Sequence, residues 1–238
     1  RSKNIYGPYE SKIVMAQGMQ SEAADPVPEN TRRRDRLRCK AEIRTAFGIR
    51  YLHPPIQNRI CEMIFPAPTP RLVLRAWREE DLGTFTAMNA DPRVMEYFPA
   101  PLTPEQSAEF MERIREEFST EGFGLYAVER REDGELLGYT GLHRVTFTGM
   151  KDKIEIGWRL RAECWNQGYA TEAAQACVAL AAKLGIEELV AFTTVTNLRS
   201  QRVMQKLGME LLCEFDHPAL PEGHPLRRHV LYWTGIKG

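Results

Sequence analysis

Trp165-Asn166-Gln167-Gly168-Tyr169-Ala170-Thr171-Glu172-Ala173 is the stretch that decides how this chain folds. Before it, Ile154, Ile156, Trp158 and Leu160 alternate with other residues, the period of a strand. After it, Ala173, Ala174, Cys177, Ala181 and Leu184 fall on one face of a helix. A turn with glycine at its centre therefore joins a strand to a helix start. The first N–H groups of a helix have no intrahelical partner and sit at the positive end of its dipole. Such a turn suits a phosphate or pyrophosphate. It also suits an ordinary strand-to-helix connection, where glycine serves only for its backbone freedom. The chain has no GxxxxGK[ST] and no GxGxxG, so neither the P-loop nor the dinucleotide fingerprint accounts for it.

The segment resembles the acyl-coenzyme A loop of the GNAT acetyltransferase superfamily, [Q/R]xxGx[G/A], with Trp165 in place of the first Gln or Arg. W-x-x-G-Y-A-T-E-A is similar to the branch that contains the ribosomal-protein N-terminal acetyltransferases, where an aromatic opens the loop. Further along stand Asn197-Leu198-Arg199-Ser200 and Val203-Met204-Gln205-Lys206-Leu207-Gly208, similar to that branch's NxxS…KLG segment. The stretch from Asp216-His217-Pro218 to Leu231-Tyr232 also looks like that branch. The resemblance covers about residues 70 to 234.

The resemblance implies an α/β (α+β) fold: a mixed, largely antiparallel central sheet with one splayed parallel strand pair and helices on both faces. It implies acetyl-coenzyme A as cosubstrate, its arm lying between the strands at 154–160 and 189–195. Backbone groups around Trp158 and Leu160 would hold the arm. The N–H groups of Asn166, Gln167, Gly168, Tyr169, Ala170 and Thr171 would hold the pyrophosphate. Asn197 would hold the cofactor beyond the splay. Ser200, matched to the serine of NxxS, is the candidate acid for the departing thiolate. As a plain structural residue it would cap a helix over 200–207.

Glu155 alternates away from Ile154 and Ile156, so it faces the other side of its strand. There it is either the acceptor of the amine proton, directly or through water, or a structural carboxylate paired with Arg159 or another base. Glu96 is a further candidate on the acceptor side by the resemblance. His217, His224 and His229 match no zinc spacing, so no metal is expected. Trp165 and Tyr169 are expected to pack beneath the loop, and Cys164 to pack as a small apolar group.

Charge is balanced overall but not locally. Residues 1–62 carry 12 Lys and Arg against 7 Asp and Glu, leaving 20 against 25 in 63–238. The mildly acidic body argues against non-specific nucleic-acid binding and favours a cationic acceptor such as an amine. The run Arg32-Arg33-Arg34-Asp35-Arg36-Leu37-Arg38 reads as a solvated segment or as an arm for nucleic acid. Residues 1–62 are expected to be a disordered or upstream extension, because Met63-Ile64-Phe65-Pro66 looks like the opening of a family member. The domain is then 63–238.

The five cysteines form no CxxC pair, and no apolar run is long enough to span a membrane. A cytoplasmic protein is expected. Its partners would be an amine-bearing small molecule or a protein N-terminus, with a homodimer left open and no membrane. The function expected is N-acetyl transfer to a primary amine by direct attack. The alternative is a non-catalytic acyl-coenzyme A-binding domain of the same fold.

Local signals fill in the rest. Leu72, Leu74 and Ala76 predict a first strand, and Leu82, Phe85 and Met88 a helix ending before Asp91-Pro92. Thr103-Pro104-Glu105-Gln106 is a capping box that opens a second helix. Glu132-Asp133-Gly134-Glu135 predicts a hairpin turn between two strands.

Overall fold

The computed structural model describes residues 63–147 and 149–236. The expected extension and its arginine run lie outside the described residues. In chain order the elements are β1 (Leu72–Arg75), α1 (Asp81–Ala90), α2 (Pro104–Glu121), β2 (Leu125–Arg130), β3 (Leu136–Arg144), β4 (Ile154–Leu160), a 3₁₀ turn (Ala162–Cys164), α3 (Tyr169–Lys183), β5 (Glu188–Thr194), α4 (Leu198–Lys206), β6 (Glu210–Asp216) and β7 (Arg228–Gly235).

The strands form one seven-stranded sheet in the order β1-β2-β3-β4-β5-β7-β6. Every neighbouring pair is antiparallel except β4 and β5. That parallel pair is joined at Glu155↔Val190 alone, near the start of both strands. Toward Leu160 and Thr194 the two strands form no further pair, so the sheet opens there as a V. The expected mixed sheet with a splayed parallel pair is the observed architecture.

The helices form where local chemistry directs them. Thr103 accepts from the Gln106 N–H while the Gln106 side chain accepts from the Thr103 N–H, and Pro104 takes the first helical position. Gly122, at φ 75°, ends α2 in the left-handed conformation that glycine enters without steric cost. The β2–β3 hairpin closes at the predicted turn. Gly141 lies where strands meet closely: a Cβ there would fall 2.0 Å from the Gly124 carbonyl oxygen.

The core sits on both faces of the sheet. On one, α1 and α2 bury Phe85, Phe110 and Ile114 against β2 and β3, with Phe110 edge-on to Tyr139 at 5.9 Å. On the other, α3 buries Ala173, Ala174, Cys177 and Ala181, small residues that let a helix approach closely. The side chain of Trp77 is anchored by its indole N–H, which donates to the Leu125 carbonyl at 2.7 Å.

One expected element starts elsewhere. The helix expected over 200–207 begins two residues earlier, and its N-cap is Asn197, not Ser200. Asn197 Oδ1 accepts the Ser200 N–H at 3.2 Å, while its Nδ2 donates to Thr193 Oγ1 at 2.9 Å. Asparagine is among the best N-cap residues, and here its amide also reaches back to β5, which serine's single hydroxyl cannot do.

Candidate active site

The V between β4 and β5 opens into a cleft of about 390 Å³. β4 from Glu155 to Leu160 lines it, as do the 164–171 loop apart from Gln167, part of α4 and the residues around Phe98 and Phe110. The splay thus leads from Glu155, where the strands still pair, out to the start of α3.

At that start Gly168 has φ +83° and Asn166 has φ +59°. Two left-handed residues so close together fold the chain back sharply. Asparagine tolerates this conformation better than other side-chain-bearing residues. The first intrahelical bond runs from the Glu172 N–H to the Gly168 carbonyl at 3.0 Å. The N–H groups of Tyr169, Ala170 and Thr171 precede it, and all three residues line the cleft. A helix start of this kind is the backbone arrangement that suits a pyrophosphate. The groups present fit coenzyme A.

The loop is braced from outside by contacts that no local pattern foretells. Glu172 Oε1 accepts from Thr69 Oγ1 at 2.6 Å and from the Arg71 N–H at 2.9 Å. Its Oε2 accepts from Arg71 Nε at 2.6 Å. Arg71 also donates to the Gln167 carbonyl at 2.9 Å and lies 4.5 Å above the Tyr169 ring. Gln167 alone of the expected loop residues does not line the cleft: its side chain donates to the Glu163 carbonyl at 2.9 Å. Tyr169 is buried, yet it also lines the cleft. Trp165 donates from its indole to the Leu160 carbonyl at 2.9 Å, taking one of that oxygen's two lone pairs. Cys164 is buried with a free thiol whose pKa burial raises, which suits packing and not reactivity.

Ser200 lines the cleft, and its hydroxyl is not the cap of α4. Glu155 also lines it, as do Trp158, Leu160 and Asn197. Glu155 is 5 % exposed, and its Oε2 lies 3.1 Å from Nε2 of the buried His143. The base that Glu155 meets is thus His143 and not Arg159. Arg159 Nη1 donates to Asn89 Oδ1 at 2.6 Å, and four residues of strand, about 13 Å, separate the two positions.

Burial works against charge on His143, but the charge and hydrogen bond of Glu155 and the charge of Glu117 outweigh it and raise its pKa above the usual histidine value. Glu117 is itself pushed up to about 7, chiefly by burial, partly offset by His143. Sequence patterning misses His143 and Glu117, because nothing local ties a residue of α2 to one of β3. Glu96 does not line the cleft. It faces Arg199 at 3.6 Å on the surface, and Arg199 in turn lies 4.7 Å above the Trp165 ring.

His217 and His229 stand with ring centroids 4.9 Å apart. Among the described residues no group of three or more His, Cys, Asp or Glu is placed to hold a metal ion. No helix among them is long and apolar enough to cross a membrane.

The family model described as an acetyltransferase (GNAT) domain matches residues 71–210. The chain is 30 % identical over 142 residues to the uncharacterized N-acetyltransferase YnaD of Bacillus subtilis, across 59 % of this chain and 80 % of that protein. It is 29 % identical over 150 residues to the FsC-acetyl coenzyme A-N(2)-transacetylase of Aspergillus fumigatus, across 59 % of this chain and 63 % of that one. Among solved structures, the GNAT-family acetyltransferase from Bacillus anthracis superposes with a TM-score of 0.62 at 25 % identity, over 74 % of this chain and 100 % of the other. A splayed strand pair that opens onto a glycine-turned helix start, together with a family match over more than half its length, establishes that this chain belongs to the GNAT acetyltransferase family.

Proposed function

We propose that the protein transfers an acetyl group from acetyl-coenzyme A to a primary amine by direct attack, on a small molecule or a protein N-terminus. The observation that carries this reading is the placement of a buried acid–histidine pair, Glu155 and His143, on the wall of the cleft at the closed end of the V. Loop residues that suit a pyrophosphate lie at the open end. The relative from Aspergillus fumigatus, named as an acetyl coenzyme A transacetylase, supports the donor. The W-x-x-G-Y-A-T-E-A loop supports the branch of the ribosomal-protein enzymes.

Acetyl-coenzyme A, when bound, supplies the thioester that the amine attacks. The chain's own groups do the rest. N–H groups of the 166–171 turn hold the diphosphate by charge-assisted hydrogen bonds. Asn197 keeps one Nδ2 hydrogen beyond its bond to Thr193 for the arm. Glu155 accepts the amine proton, and His143 behind it stabilises whichever state results. Ser200 Oγ gives a proton to the departing sulfur. The cleft walls hold donor and acceptor together, which supplies much of the rate.

The test is release of free coenzyme A thiol from acetyl-coenzyme A in the presence of a panel of amines and N-terminal peptides. Amine-dependent thiol release with an N-acetyl product supports transfer. Tight acetyl-coenzyme A binding with no release on any acceptor supports the non-catalytic binding domain instead.

A further inference from the structure

The cleft is lined by cations to an extent that the chain's balanced charge conceals. Arg93, Arg113, Arg159, Arg199, Arg202 and Lys206 all line it, against a single acidic residue, Glu155. The acidic surplus of the body lies elsewhere, so the cationic acceptor that net charge favours is not what the cleft itself favours. Three of these six are explained by position. Arg199, Arg202 and Lys206 lie on α4, beside the coenzyme site. Arg93 is neutralised by Asp91 at 2.6 Å and by Glu163.

Arg113 and Arg159 remain. Both guanidinium groups lie over the Phe110 ring, at 5.5 Å and 5.8 Å. Arg159 is 9 % exposed and caged by aromatics, 4.1 Å above Phe98 and 5.4 Å from Tyr139. It shares a sheet face with Glu155, since β3 pairs Tyr139 with Arg159 and His143 with Glu155. Its side-chain hydrogen bond goes to a neutral amide, Asn89 Oδ1 at 2.6 Å, which carries no compensating charge. Among the described residues neither arginine forms an ion pair, although Glu109 and Glu116 on the same helix act on Arg113 through their charge, and the Nε of each arginine is buried with no hydrogen-bond partner. A buried cation without a counter-ion is costly. Arg159 is in that position, and the half-buried Arg113 over the same ring adds a second positive charge that repels it. An anion placed between them would supply the counter-ion Arg159 lacks and relieve that repulsion.

We propose that Arg113 and Arg159 form an anion subsite in the acceptor half of the cleft, and that the acceptor is a small aminocarboxylate: an amine that also carries a carboxylate, with apolar atoms between that rest on Phe98 and Phe110. This rests on the acetyl-transfer reading above for the fate of the amine. The carboxylate subsite itself is a binding property and is measured without turnover. Arginine suits the role because its planar fork takes a carboxylate through two parallel hydrogen bonds.

The test is calorimetric titration of the full chain, with and without coenzyme A. The probes are N-acetylglycine, N-acetyl-β-alanine, N-acetyl-γ-aminobutyrate, N-acetyl-ε-aminocaproate and N-acetylphenylalanine, each against its own amide. These are the products transfer would give, and the series varies the distance to the carboxylate. At least one acid is expected to bind tenfold or more tightly than its amide. That preference is expected to shrink fivefold or more in Arg159→Met and in Arg113→Gln. The second variant lies on the half-buried face of α2, so it keeps the test alive if loss of the Asn89 contact unfolds the first. Amides that bind as well as their acids, an acid preference that survives both variants, or no acid binding at all would each overturn the subsite. Failure of the transfer reading is separate: it shows as acid-selective binding with no acetylation of the corresponding amines.

Discussion

Nε2 of His143 lies 3.1 Å from Oε2 of Glu155, both side chains are buried, and Glu155 stands where β4 and β5 still pair. This places a buried carboxylate, backed by an imidazole, at the closed end of the splay. Glu155→Gln is expected to lower kcat about 100-fold while leaving acetyl-coenzyme A affinity within a few-fold, because Gln keeps the shape but cannot take a proton. Steady-state rates per folded molecule check this. A merely structural carboxylate gives the other pattern: a loss of roughly 3 kcal/mol in stability from the uncompensated His143, with kcat intact.

Ser200 and Asn197 separate capping from chemistry. Since Asn197 makes the cap, Asn197→Ala should cost about 1 kcal/mol of stability. Ser200→Ala should leave the melting temperature nearly unchanged and lower kcat by roughly 100-fold. A Ser200→Ala enzyme with wild-type kcat would remove Ser200 from the chemistry.

The turn and its brace are expected to act on donor affinity. Gly168→Val forces a β-branched residue to φ +83° and brings its Cβ within 3.3 Å of the Arg71 guanidinium, so acetyl-coenzyme A should bind at least about tenfold more weakly. Glu172→Gln keeps the turn but weakens its hold on Arg71 and Thr69. A loss of about 1 kcal/mol in stability with a few-fold loss of affinity is the expected result, small because Arg71 is half exposed. Titration and thermal melts of both variants measure it. Equal affinity in a folded Gly168→Val protein would show that the turn does not hold the donor.

Acid should destabilise the protein through His217 and His229. Burial lowers the pKa of His217 to about 3, with the charge of His229 adding to it, and burial lowers that of His229 to about 4. The fold therefore binds them neutral, while the unfolded chain protonates them near pH 6.5. Their contribution is fully present above that pH and is lost as pH falls toward 4. For His229 the loss approaches about 3 kcal/mol. Urea unfolding of the wild type and of His229→Phe from pH 7.5 to 4.5 checks the sign: the variant should show the shallower fall.

A chain beginning at Met63 should melt cooperatively and keep acetyl-coenzyme A binding. Ile64 already ties the start of this segment to the sheet: its N–H donates to the Gly122 carbonyl at 3.0 Å, and its carbonyl accepts from the Tyr126 hydroxyl at 2.6 Å. Aggregation of the shortened chain, or loss of binding, would make the preceding residues part of the fold.

What the sequence determined by itself is everything written in short-range pattern. The alternation from Ile154 to Leu160, the glycine turn at Gly168, the capping box at Thr103 and the hairpin at Gly134 each depend on residues within a few positions of one another. Glu155, Trp158, Leu160, Asn197, Ser200 and the loop residues other than Gln167 could therefore be named in advance and line the cleft, while the cap of α4 fell on Asn197. Only the tertiary structure decided the rest. Glu172 meets Arg71 across 101 positions, His143 meets Glu155 from the neighbouring strand, and Glu117 reaches them from α2. Net charge near zero gave no sign of a cleft with six cations, because charges summed along a chain say nothing of which face of a sheet they share. Arg159 is the plainest case. In the sequence it is one more arginine on a strand, and its want of a counter-ion among the described residues exists only once burial has removed water and packing has brought an amide, not a carboxylate, to meet it.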